Sequence, residues 1–103
     1  MKIRFTPEAL RQTRAKREWW AAHRPKAPTL LVEELAAAIA RLRTGADAAR
    51  SLHTVMRGCP IYRLLLPRTR LHLYYRHTAT GDVEVLTIWN ATGGALPDLD
   101  ADD

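Results

Sequence analysis

Between Arg63 and Arg76 the chain reads RLLLPRTRLHLYYR, gathering four arginines, a histidine and two tyrosines into one short stretch. Guanidinium groups hold phosphates or carboxylates through paired N–H donors, and an imidazole titrates near neutral pH. Side chains on a strand switch faces at every residue. A strand from Leu71 to His77 therefore sends Leu71, Leu73 and Tyr75 toward a core, and Arg70, His72, Tyr74 and Arg76 the other way. Arg63 on a neighbouring strand and Arg68 at the turn extend this second face. Like charges so close repel one another unless an anion joins them, so the face suits an anion or an acidic partner.

Two chemistries fit such a face. One is binding alone. The other is metal-free RNA cleavage, which needs a base for the 2′-hydroxyl, an acid for the leaving oxygen and cations for the crowded phosphate. There His72 would be the base, and Arg70, Tyr74, Arg76 and Arg63 would stabilise charge. The sequence offers His72 no orienting partner, so a solvated or partner-contacting histidine is the simpler reading. His23, His53 and His77 are scattered over linker, loop and strand end without ligand spacing, so no metal site is expected. Cys59 is the only cysteine, which leaves no internal disulfide and no cysteine-built metal site. No cofactor is expected.

The 103 residues suit a single core. The formal charge is +5, but Asp98, Asp100, Asp102 and Asp103 stand at the end; before them, 16 lysines and arginines face only 7 of the 11 acidic residues, a balance of +9. A body so basic attracts nucleic acid, an anionic surface or an acidic protein. No apolar run approaches membrane-spanning length, and the first 22 residues are too charged for a signal peptide, so a cytoplasmic protein is expected.

Periodicity and breakers set the elements that must position the basic face. Ile3 to Phe5 reads as a short strand, and Thr6-Pro7-Glu8 offers an N-cap, a proline at the first helical position and an early acid. The first helix is expected from Pro7 to about Ala22. Adjacent helical residues lie about 100° apart, so Trp19 and Trp20 cannot both point into one core. The two prolines of HRPKAP break the helix, and Leu31, Leu35, Ala38, Ile39 and Leu42 mark a second one to about Arg43. Thr44 to Pro60 reads as a loop, with a helical turn at most around Leu52 to Met56. Ile61 to Leu66, Leu71 to His77 and Val83 to Asn90 read as a three-stranded antiparallel meander, turning at Pro67-Arg68-Thr69 and Thr80-Gly81-Asp82. In the last strand, alternation puts Val83, Val85 and Trp89 on one face, with Trp89 in the core, and Leu86 and Ile88 on the other. The expectation is an α+β fold over residues 1–97, followed by an acidic, disordered tail over 98–103.

The order strand, helix hairpin, three-stranded meander, in a basic chain of this length, resembles the RelE/ParE superfamily of toxins from bacterial toxin-antitoxin systems. The resemblance runs from Ile3 to Leu96. WWAAHRPKAP at Trp19, IYRLLLPRTRLHLYYR at Ile61 and VEVLTIWNATGG at Val83 look like its ParE-like branch. It implies one of two activities. ParE-like members inhibit DNA gyrase, whereas RelE-like members cut messenger RNA on the ribosome; both are silenced by an antitoxin that wraps the toxin. Many relatives end the last strand in tryptophan-histidine followed by arginine-glycine, where this chain has Trp89-Asn90 and then Gly93-Gly94. Asparagine does not titrate and glycine has no side chain, so neither role carries over. The departure favours a non-enzymatic gyrase inhibitor over a nuclease, and leaves a third reading, an attenuated toxin that only pairs with its antitoxin.

For the antitoxin the resemblance implies a hetero-oligomer seated on the helix hairpin. Leu10, Trp20, Leu31 and Leu35 supply an apolar stripe, part of which would stay open as a groove, and Arg14 and Arg17 can pair with antitoxin carboxylates. Burial of Leu31 and Leu35 beneath the sheet is the simpler reading for those two.

Overall fold

The computed structural model describes residues 2–43 and 51–90. The chain runs β1 (Ile3–Phe5), α1 (Pro7–His23), α2 (Leu30–Arg43), β2 (Ser51–Met56), β3 (Cys59–Leu66), β4 (Leu71–His77) and β5 (Val83–Asn90). One five-stranded sheet forms in the order β1-β5-β4-β3-β2. β1 lies parallel to β5, and β2 to β5 form an antiparallel meander. The α+β class and the helix pair stand, but the meander has four strands rather than three.

The added strand is β2, in the stretch expected to be a loop. It pairs with β3 through a two-residue turn at Arg57-Gly58, flanked by the Met56–Cys59 pair. Arg57 at φ 53° and Gly58 at φ 78° are both left-handed, the backbone a type I′ hairpin turn requires. Residues 44–50 and 91–103, with Gly93, Gly94 and the acidic segment, lie outside the described residues.

Helix α1 starts where Thr6 Oγ1 accepts the Ala9 N–H at 3.0 Å, with Pro7 following the cap. It is tied down at the other end by the Arg24 N–H donating to Trp20 O at 2.8 Å, before Pro25 stops the helix. Helix α2 buries Leu30, Leu31, Leu35, Ala38 and Leu42, the 3.6-residue stripe of an amphipathic helix.

Both helices cover the same sheet face. The core joins Ala9 of α1 and the α2 stripe to Leu64, Leu66, Leu71, Leu73, Tyr75, Val83, Val85 and Ile88. All the β3 and β4 members have one parity. In β5 the parity changes: Tyr75 pairs with Val85 but Tyr74 with Thr87, leaving Leu86 as an extra residue, a β-bulge. Val83 and Val85 before the bulge and Ile88 after it thus share the core face. Ile88 was expected opposite Val83 and Val85; the bulge brings it in and turns Trp89 out.

Thr6 secures this bulge. Its N–H donates to Val85 O at 3.0 Å and its hydroxyl to Leu86 O at 2.8 Å. A second clamp joins α2 to the β3–β4 turn. Glu34 accepts the Arg68 N–H at 2.8 Å on one carboxylate oxygen, and the Thr69 N–H at 2.8 Å and hydroxyl at 2.7 Å on the other. No described helix is long and apolar enough to cross a membrane.

Candidate target-binding face

The sheet face turned away from both helices carries three cross-strand rows. The first runs Leu65, His72, Trp89; the second Arg63, Tyr74, Thr87; the third Arg76, Glu84, Arg4. Arg63, His72 and Arg76 therefore do share a face, as strand alternation predicts. Each is partly exposed.

Arg70 does not belong to this array. Strand β4 begins at Leu71, and Arg70 sits in the turn at φ 61°, donating its N–H to Leu66 O at 2.9 Å. Counting parity back from His72 fails there because a left-handed residue is not part of a pleat. Arg68 is exposed in the same turn, held through its backbone by Glu34.

Tyr74 is on the expected face but only 2% exposed, as are Thr87 beside it and Ile61 on β3. Tyr74 is thus a packed residue of this face rather than a solvated phenol offered to a substrate. Its ring meets His72 edge-on at 5.9 Å. Its neighbour Tyr75, expected in the core, is fully buried there, with Leu71 and Leu73.

Arg76 has a partner within the face. Its Nε donates to Glu84 Oε1 at 2.7 Å, and that carboxylate holds the guanidinium above its ordinary pKa range. The repulsion expected among bare guanidiniums is relieved here internally. Arg4 stands across from Glu84 in the register of β1 and β5, so the third row alternates in sign.

Trp89 is the residue that strand alternation misplaces. It was expected in the core; the bulge at Leu86 sets it opposite His72 on the helix-free face, half-buried. Nothing in the sequence around Leu86 marks the bulge, since both faces of β5 carry apolar residues.

On the helix side, the expected antitoxin set divides. Leu31 and Leu35 are buried in the core, because α2 lies directly over β3, and are removed from the surface set. Leu10 stays 49% exposed, and Arg14 and Arg17 are exposed on the same helix. Trp20 packs partly against the core and donates its indole N–H to Ala27 O at 2.8 Å. Trp19 is the outer member of the pair: it stacks on His23 with ring centroids 4.6 Å apart, and Arg24 lies 5.3 Å from its ring centre. Exposed Trp19 was absent from the expected set, although the 100° step between adjacent residues already required one indole outside.

No family model, curated protein or solved structure matches this chain.

Proposed function

We propose that the chain is the toxin of a type II toxin-antitoxin pair, of the ParE-like branch, which inhibits DNA gyrase by binding it through the helix-free sheet face and is neutralised by a cognate antitoxin on the helix hairpin. The carrying observation is that Arg63, His72 and Arg76 lie together on the one sheet face that neither helix covers. The resemblance rests on the order strand, helix pair, three-stranded meander, and the chain has that order with a fourth strand, β2, added at the meander's outer edge. The basic body supports an acidic or nucleic-acid-associated target. On the hairpin, Leu10, Trp19, Arg14 and Arg17 give an antitoxin segment apolar and charged contacts.

Binding without catalysis is favoured because two of the groups a nuclease would draw on from this face are already engaged and a third is replaced in the sequence. Tyr74 is buried, Arg76 is held by Glu84, and Asn90 stands where relatives carry histidine. A ribosome-dependent endoribonuclease is the second reading, and the observation in its favour is that His72 shares its sheet face with Arg63 and Arg76. Purified protein tested on gyrase supercoiling, beside ribosome-programmed cleavage of a messenger RNA, separates these readings. Inhibition of supercoiling without cleavage supports the first, cleavage supports the second, and neither leaves a protein that only pairs with its antitoxin.

A further inference from the structure

The bulge at Leu86 does more than correct a strand register. It places a tryptophan on the face assigned above to the target, beside a histidine at the end of the sheet nearest the β3–β4 turn. Strands in a sheet lie about 4.8 Å apart, so Leu65, His72 and Trp89 form a row roughly 10 Å wide. Leu65 is 39% exposed and lies in the same row as half-buried Trp89, so the row offers adjoining apolar surface. Arg63 flanks this row one step along β3.

We infer that the Leu65–His72–Trp89 row is the anchor of a protein contact, and that it takes a segment of the partner presenting an apolar side chain flanked by carboxylates. The inference rests on the reading of this face as the target-binding surface and names the chemistry of the target. Three features select a protein segment over a nucleic acid strand. Leu65 offers a phosphate backbone nothing, but gives an apolar side chain a place to bury. Glu84 sits between Arg76 and Arg4, so the row nearest the parallel edge is of mixed sign, whereas strand binding draws on many uncompensated cations. Finally, a single tryptophan in a row with a histidine and a leucine, with an arginine in the next row, is the composition of an interface anchor with a polar rim, not of a platform for successive bases.

The test uses the full chain and its Trp89→Ala, Leu65→Ala and Arg63→Gln variants. Equilibrium binding is measured to gyrase holoenzyme and to a labelled single-stranded RNA, with melting temperatures recorded for every variant. The expected result is a ~30-fold or greater loss of gyrase affinity for Trp89→Ala, a several-fold loss for Leu65→Ala, and for Arg63→Gln a smaller loss carried by the association rate. Leu65→Ala keeps the test decisive if Trp89→Ala fails to fold, because Leu65 is already largely outside the core. Unchanged gyrase affinity in both Leu65→Ala and Trp89→Ala overturns the inference and leaves the target reading standing. Tight, steeply salt-dependent RNA binding lost in Trp89→Ala, without gyrase binding, overturns it in favour of a nucleic acid surface. No gyrase binding by the unmodified chain, and none to RNA, removes the target reading and this inference with it.

Discussion

The hydroxyl of Thr6 donates to the carbonyl of Leu86 at 2.8 Å, so the residue that caps the first helix also holds the bulge that orients Trp89. One side chain therefore links the start of α1, the parallel edge of the sheet and the outer face. The Leu86 carbonyl would otherwise be an under-satisfied group at an irregularity of the ladder.

Replacing Thr6 with alanine removes both the cap and the bulge bond. The expected cost is about 2 kcal/mol, roughly half from each. Thr6→Ser retains the hydroxyl and is expected to lose well under half as much. Urea unfolding of the two variants measures this; equal losses would mean the threonine methyl, not the hydrogen bonds, carries the effect.

Glu34 reaches across 35 positions of sequence to bind the β3–β4 turn with three hydrogen bonds. Glu34→Ala leaves the N–H and hydroxyl of Thr69, only 6% exposed, without their acceptor. A loss of about 2–3 kcal/mol is expected, because bonds to an ionised group exceed ordinary ones. At about 4–8 °C per kcal/mol for a domain of this size, the thermal midpoint should fall by at least about 8 °C. A drop under about 3 °C would show that the clamp is ornamental.

Arg70 occupies a left-handed conformation that asparagine adopts more readily. Arg70→Asn is expected to raise stability by about 0.5–1 kcal/mol and, if the proposed gyrase inhibition holds, to leave it within about twofold, since Arg70 lies outside the strand array. A large loss of inhibition at unchanged stability would return Arg70 to the target contact.

Two carboxylates are expected to make stability fall in acid. The Lys2 backbone N–H lowers the pKa of Asp82 from 3.8, and the Gln12 side chain followed by Arg11 lowers that of Glu8 from 4.5. Each folded pKa lies below its unfolded value, so the unfolded chain binds more protons in this range. Their stabilisation is complete above the unfolded values and is lost as pH falls through the folded ones. Urea midpoints are expected to drop between about pH 5 and about pH 3, and less steeply in an Asp82→Asn, Glu8→Gln variant. Identical slopes in the variant would assign the acid limit to other groups.

The sequence was legible where one local signal decides an element. Thr6-Pro7 started α1, the α2 stripe read at helical spacing, clean alternation bounded β4, and the Thr80-Gly81-Asp82 turn set where β5 begins. It was illegible where geometry depends on a distant partner or an unusual backbone. Strand β2 was missed because its hairpin turn pairs Gly58 with Arg57, an uncommon residue at a left-handed turn position. The bulge at Leu86 left no trace in β5, and its consequence was an inverted assignment for Ile88 and Trp89. Arg63, His72 and Arg76 were legible as a group because strand parity alone brings them together; the Glu84 bond to Arg76 was not, because it joins two strands.

The central claim is that this face disables gyrase by binding. Its most direct test is the dose dependence of supercoiling inhibition by the purified chain and by an Arg63→Gln, His72→Gln variant whose melting temperature matches the parent. The account predicts inhibition by the parent chain and a rightward shift of about tenfold or more for the variant, without nucleolytic activity in either. Superimposable inhibition curves, or a parent chain that leaves supercoiling untouched, would contradict it.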